Sequence, residues 1–140
     1  MTAKPNTEAL IARPVITEDT WLDEILIESE RGRAIATALS LEGGLQELAP
    51  RTVASVAYDL IDKFERIDEA LKVAMSASNT TKTEGDCIDP INLIVERGIA
   101  VGLTLSSKEV ADSLNHRLIS LIACDLADKF EQISRLAQST

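Results

Sequence analysis

The side chains able to do chemistry in this 140-residue chain are few: one histidine, His116, two cysteines, Cys87 and Cys124, and 23 carboxylates against 14 bases. His116 can meet Asp112 at i, i+4, but no nucleophile or third group is set beside them, so an exposed histidine is expected rather than a general base. Cys87 and Cys124 lack CxxC spacing and a histidine cluster, which makes neither a zinc site nor a disulfide framework. Both read as reduced, partly buried thiols. Asp59, Asp62, Asp125 and Asp128 are matching carboxylates, yet di-iron bundles use Glu-x-x-His from two helices, and a single histidine cannot supply that. Asp59/Lys63 and Asp125/Lys129 read instead as acid-then-base pairs at i, i+4, each contributing about 0.2–0.5 kcal/mol. Neither GxGxxG nor GxxxxGK[ST] occurs, and Glu42-Gly43-Gly44 reads as helix termination rather than a phosphate loop. No catalytic residue, metal ligand or cofactor is assigned.

Charge is the stronger signal. A formal net charge of −9 opposes binding to nucleic-acid backbones or anionic lipid, both of which require Lys and Arg to neutralise phosphates, and points to a basic protein partner. Residues 1–74 carry 8 bases and 14 acids (8 − 14 = −6), and residues 75–140 carry 6 and 9 (6 − 9 = −3). Between Thr17 and Glu30 six acids occur without a base: Glu18, Asp19, Asp23, Glu24, Glu28 and Glu30. Helix-dipole stabilisation of a solvated helix start accounts for such a run. The functional reading is a docking surface made by Glu18, Asp19, Trp21, Asp23, Glu24 and Glu28, with Trp21 either covering one end of the core or anchoring the partner.

The chain also matches itself. At an offset of 66 residues, 20 of the 58 pairs from Thr17/Thr83 to Ala74/Thr140 are identical, without a gap. The densest block sets Asp59-Leu60-Ile61-Asp62-Lys63-Phe64-Glu65-Arg66-Ile67 against Asp125-Leu126-Ala127-Asp128-Lys129-Phe130-Glu131-Gln132-Ile133. Two copies with so long a period predict a duplicated supersecondary unit, 17–74 and 83–140, rather than a solenoid. A tail of 16 residues precedes them and a linker over 75–82 joins them, within the polar stretch Ser76–Asp86.

Each unit reads as a helical hairpin. Val53, Ala57, Leu60, Phe64, Ile67, Leu71 and Ala74 step alternately by four and three, one apolar stripe on a helix over about 53–74. Ile119, Ala123, Leu126, Phe130, Ile133 and Ala137 repeat it, and Ser106-x-x-Glu109 is a capping-box pattern in front of that copy. Gly43-Gly44 predicts a break, and Pro50 a kink or a fresh start. The first helix of unit one holds Leu22, Ile25, Leu26, Ser29, Gly32, Ile35, Ala36 and Leu39 at helical spacing. Its counterpart is predicted to start at Asp89-Pro90, as an N-cap followed by proline at the first helical position. Ile91–Val95 and Ile99–Leu105 alone fit two strands, but the unit-one copy argues for helix. Ile91–Leu105 falls short of the roughly 20 apolar residues needed to span a bilayer, and Asn79-Thr80-Thr81 is a sequon without a secretory signal before it.

The predicted architecture is all-α: two hairpins packed about a pseudo-twofold axis as a four-helix bundle, within one chain or across a homodimer. The small residues Gly32, Ala36, Gly98 and Gly102 would let helices approach closely. Glu30-Arg31-Gly32 and Glu96-Arg97-Gly98 are predicted either to pair reciprocally, Arg31 with Glu96 and Arg97 with Glu30, or to lie at a solvated edge. The functional expectation is a cytoplasmic, non-enzymatic acidic regulator or inhibitor of the anti-activator, immunity, antitoxin or nucleic-acid-mimic kind, docking on a basic protein without nucleic-acid or membrane contact. Its competitors are a small-molecule or metal-binding bundle with a sensory or enzymatic role, and a structural subunit of a larger assembly.

Overall fold

Apolar residues at alternating steps of three and four produce four long helices and one short one. A computed structural model describes residues 13–78 and 80–140; residues 1–12 of the expected tail, and Asn79 of the sequon, lie outside the described residues. The helices are α1 (Trp21–Leu45), α2 (Pro50–Ser76), α3 (Lys82–Ser106), α4 (Lys108–Ser113) and α5 (His116–Gln138), with no strand among the described residues. α1 packs against α2 and α5, and α3 packs against the same two, so the long helices form a bundle; α4 crosses one end on α2 and α3.

The glycines set how closely the helices approach. Phe64 and Phe130 stack at the centre with ring centroids 4.0 Å apart and planes 14° from parallel. A Cβ placed on Gly98 would overlap the Phe64 ring, and one on Gly32 would overlap the Phe130 ring. Positions 66 residues apart therefore make reciprocal contacts, each glycine receiving the phenylalanine of the other half. At Gly102 an added Cβ would lie 2.7 Å from Ile61 Cγ1. Phe64, Phe130, Ile25, Leu60, Ile67, Ile91, Leu126 and Ile133 are fully buried, and full burial of such a side chain contributes about 1.5–3 kcal/mol.

Helix boundaries depart from expectation in three places. α1 does not break at Gly43-Gly44 but runs through both to Leu45. Gly43 is buried there, and a Cβ on it would stand 3.3 Å from the His116 carbonyl, so the glycine serves close approach to α5 rather than termination. α3 starts at Lys82, not at Asp89-Pro90. Thr81 Oγ1 accepts from the Glu84 amide at 3.1 Å, and the Thr81 amide donates to Glu84 Oε1 at 2.9 Å, a complete capping box. Pro90 lies exposed inside that helix, and burial of Cys87 and Ile88 ahead of it offsets the backbone hydrogen bond that proline lacks. The segment 91–105 is thus part of one continuous helix. Finally, the cap before α4 is Ser107 rather than Ser106. Ser107 Oγ accepts from the Val110 amide at 3.4 Å and donates to Glu109 at 3.0 Å, while Ser106 ends α3 and donates to the Leu103 carbonyl. A separate cap, Asn115, whose Oδ1 accepts from the Leu118 amide at 2.9 Å, then starts α5. Pro50 does begin α2 at its first turn.

Candidate partner-binding surface

The six candidate docking residues separate by burial. Glu18, Asp19 and Asp23 are exposed, and none of them makes an ion pair among the described residues. Trp21 is 2% exposed and belongs to the core, so it closes one end of the bundle rather than offering an anchor. The large indole finds its apolar partners inside the bundle. Glu24 is mostly covered and accepts from Arg66 Nε of α2 at 2.8 Å. Glu28 is 3% exposed and is held by Arg31 Nη1 at 2.9 Å, one turn away. A buried carboxylate needs such a partner, and this need removes both glutamates from the docking surface.

The exposed acids stand on a fixed frame. The Thr17 amide donates to Thr20 Oγ1 at 2.8 Å, and the Trp21 amide to the Thr17 carbonyl at 3.1 Å, so the chain turns tightly into α1. Buried Trp21 then locks the first turn, with Asp23 beside the positive end of the helix dipole. Below the turn, Arg13, Pro14, Glu24, Ile27, Glu28, Arg31, Lys63 and Arg66 line a cleft of about 140 Å³. Arg66 bridges three elements: it bonds Glu24 of α1, Glu69 of α2 at 3.0 Å, and the Pro14 carbonyl. Arg13 bonds Asp62. Burial works against the Asp62 carboxylate, yet the hydrogen bond and charge of Arg13, with Lys63, hold its pKa below the usual carboxylate range. Burial likewise opposes the Arg66 charge, and the bonds to Glu24 and Glu69 raise its pKa nonetheless. Arg13 and Arg66 thus strap residues 13–16 to α1 and α2, and Glu18, Asp19 and Asp23 above them have no ion pair among the described residues.

The reciprocal pairs Arg31–Glu96 and Arg97–Glu30 do not form. Arg31 turns to Glu28 on its own helix, Glu96 accepts from Asn92 at 3.3 Å, and Arg97 has no ion pair among the described residues. All four residues lie on the solvated outer side, where Arg31 finds Glu28 one turn away on its own helix. The two i, i+4 pairs also diverge: Lys129 meets Asp125 at 2.8 Å, whereas Lys63 turns to Asp62 at 3.4 Å. His116 meets not Asp112 but the Gly43 carbonyl, to which Nδ1 lies at 2.7 Å. Gly43 is in the last turn of α1, where carbonyls lack helical partners, so His116 clips the end of α1 to the start of α5. Ser120 adds a second clip, its Oγ donating to the Ser40 carbonyl at 2.6 Å.

Cys87 is buried and Cys124 exposed, both free; burial pushes the Cys87 thiol up, away from the reactive thiolate. No described helix is long and apolar enough to cross a membrane. No family model, no curated protein and no solved structure matches this chain.

Proposed function

We propose that this chain is a non-enzymatic protein-binding regulator or inhibitor that docks on a basic partner protein through the acidic start of α1. The observation that carries the reading is the contrast within one short stretch. Glu24 and Glu28 are neutralised by Arg66 and Arg31, while Glu18, Asp19 and Asp23 are exposed without an ion pair among the described residues. Three carboxylates on a fixed turn present a preorganised negative patch, which raises association rate and selectivity toward basic surfaces more than raw affinity. The same reading places the protein in the cytoplasm, where the free thiols Cys87 and Cys124 stay reduced.

The test is capture of partners from source lysate at low and high salt, by wild type and by Glu18→Lys/Asp19→Lys/Asp23→Lys. Capture of one basic protein that is lost both in high salt and in the charge-reversed variant supports docking at this patch. Absence of any basic partner at low salt, or capture unchanged in the variant, overturns it.

A further inference from the structure

The two broad faces of the bundle are finished differently. On the α1–α2 face, residues 13–16 lie across the helices: Arg13 holds Asp62, Arg66 holds the Pro14 carbonyl, and Ile16 packs against the core. On the α3–α5 face, Val101, Thr104, Leu105, Leu114 and Ile122 line an open groove of about 260 Å³ with almost wholly apolar walls. Leu118, one turn before Ile122, and Leu121 extend that surface along α5; Leu93, two turns before Val101, extends it along α3. All three leucines are exposed, Leu121 by 66%. At the positions 66 residues earlier, α2 carries Thr52 and Ser55, both exposed, where α5 carries Leu118 and Leu121. The half of the chain with the smaller net charge thus presents leucine to solvent where the acidic half presents hydroxyls.

Charge decides what fits there. A basic partner is drawn to Glu18, Asp19 and Asp23, which have no ion pair among the described residues, whereas along α3 and α5 the exposed acids are interspersed with Arg97, Arg117 and Lys129 and Asp125 is already held by Lys129 at 2.8 Å. A second copy of a chain with charge −9 meets repulsion wherever its acids cluster. The α3–α5 side carries both signs, Arg97 and Lys129 standing among Asp125 and Asp128, and Arg97, without an ion pair among the described residues, can meet a carboxylate of the other copy. We propose that the α3–α5 face is a homodimer interface. Two copies bury Leu118, Leu121 and the groove against each other as an isologous contact and leave the acidic starts of both α1 helices open.

The test is sedimentation equilibrium from about 1 to 100 µM, where a 1 µM Kd corresponds to about −8.2 kcal/mol. Wild type is expected at twice the 15.2 kDa chain mass at the upper end, and the dimer is expected to persist in high salt, which leaves the apolar contact in place and screens the repulsion between two acidic copies. Leu118→Thr/Leu121→Ser takes residues that α2 already tolerates at the matching exposed positions. It is expected to weaken the dimer by at least about tenfold, or about 1.4 kcal/mol, with unchanged helical circular dichroism. Asp19→Lys/Asp23→Lys leaves the dimer intact, which separates this proposal from the docking patch. A wild-type monomer across the range, or a dimer that survives Leu118→Thr/Leu121→Ser unchanged, overturns it.

Discussion

Adding one methyl group at Gly98 is expected to unsettle the centre of the bundle, while the same change at Gly85 strengthens the chain. Both glycines lie in α3, and alanine in a helix is favoured over glycine by about 1 kcal/mol at either position. At Gly85 nothing lies within 4 Å of the new Cβ, so Gly85→Ala keeps that gain. At Gly98 the Cβ falls on the Phe64 ring, 2.6 Å from Cε2 and as close to its neighbours. The ring has nowhere to retreat, because its other face is stacked on Phe130 at 4.0 Å. Overpacking of this kind costs about 1–3 kcal/mol or more, which exceeds the propensity gain, so Gly98→Ala is expected to be destabilising by up to about 2 kcal/mol net. Urea unfolding followed by helical circular dichroism reads the change as a shift of midpoint at constant slope. Gly32→Ala, which drives its Cβ into Phe130, should cost a similar amount. The double variant should cost less than the sum, because the two rings move as one stacked pair. A Gly98→Ala midpoint equal to or above that of Gly85→Ala would refute the claim that these glycines set the helix spacing.

Other outcomes follow from single contacts. Thr81→Ala removes the Oγ1 that accepts from the Glu84 amide while the Thr81 amide keeps its bond to Glu84 Oε1, and should cost about 0.5–2 kcal/mol, with faster amide exchange confined to residues 82–86. His116→Ala leaves the Gly43 carbonyl without its partner and should cost about 0.5–1.5 kcal/mol in urea unfolding, with greater exchange at the junction of α1 and α5. Asp62 has a folded-state pKa below its unfolded value. Its contribution is therefore present above the unfolded pKa of about 3.9 and is lost as pH falls through the folded value. Wild type and Asp62→Asn should differ in urea midpoint near neutrality and converge at the acid end. Trp21→Ala should cost about 3–5 kcal/mol, and the emission of this single tryptophan should be that of a buried indole; an exposed spectrum would return Trp21 to the surface.

Much of the architecture was legible because it is written locally. The stripe from Val53 to Ala74 and the matching one from Ile119 to Ala137 lie on buried helix faces, and Gly32, Gly98 and Gly102 stand at close approaches. The capping box Thr81-x-x-Glu84 was missed, although its spacing is a local signal, because Asp89-Pro90 imitates a helix start and sits nearer the apolar run. Among the docking candidates, the exposure of Glu18, Asp19 and Asp23 is what an acidic run at a helix start predicts. The burial of Glu28 is not, because it depends on where α2 lies across from α1. The reciprocal arginine pairs failed for the same kind of reason: Arg31 takes Glu28 on its own helix and Arg97 stays in solvent without an ion pair among the described residues, and distance across a bundle is not contained in spacing along a chain.

By itself the sequence determined the helical class, the positions of the small residues and the sorting of charge toward the first half. Each of these acts within a few residues, through backbone periodicity, Cβ volume and net charge. Tertiary packing decided which phenylalanine fills which glycine notch, that Trp21, Glu24 and Glu28 leave the surface, that His116 clips α1, and that leucines 118 and 121 remain outside. Those outcomes depend on distances between residues far apart in the chain, which exist only once the helices are packed.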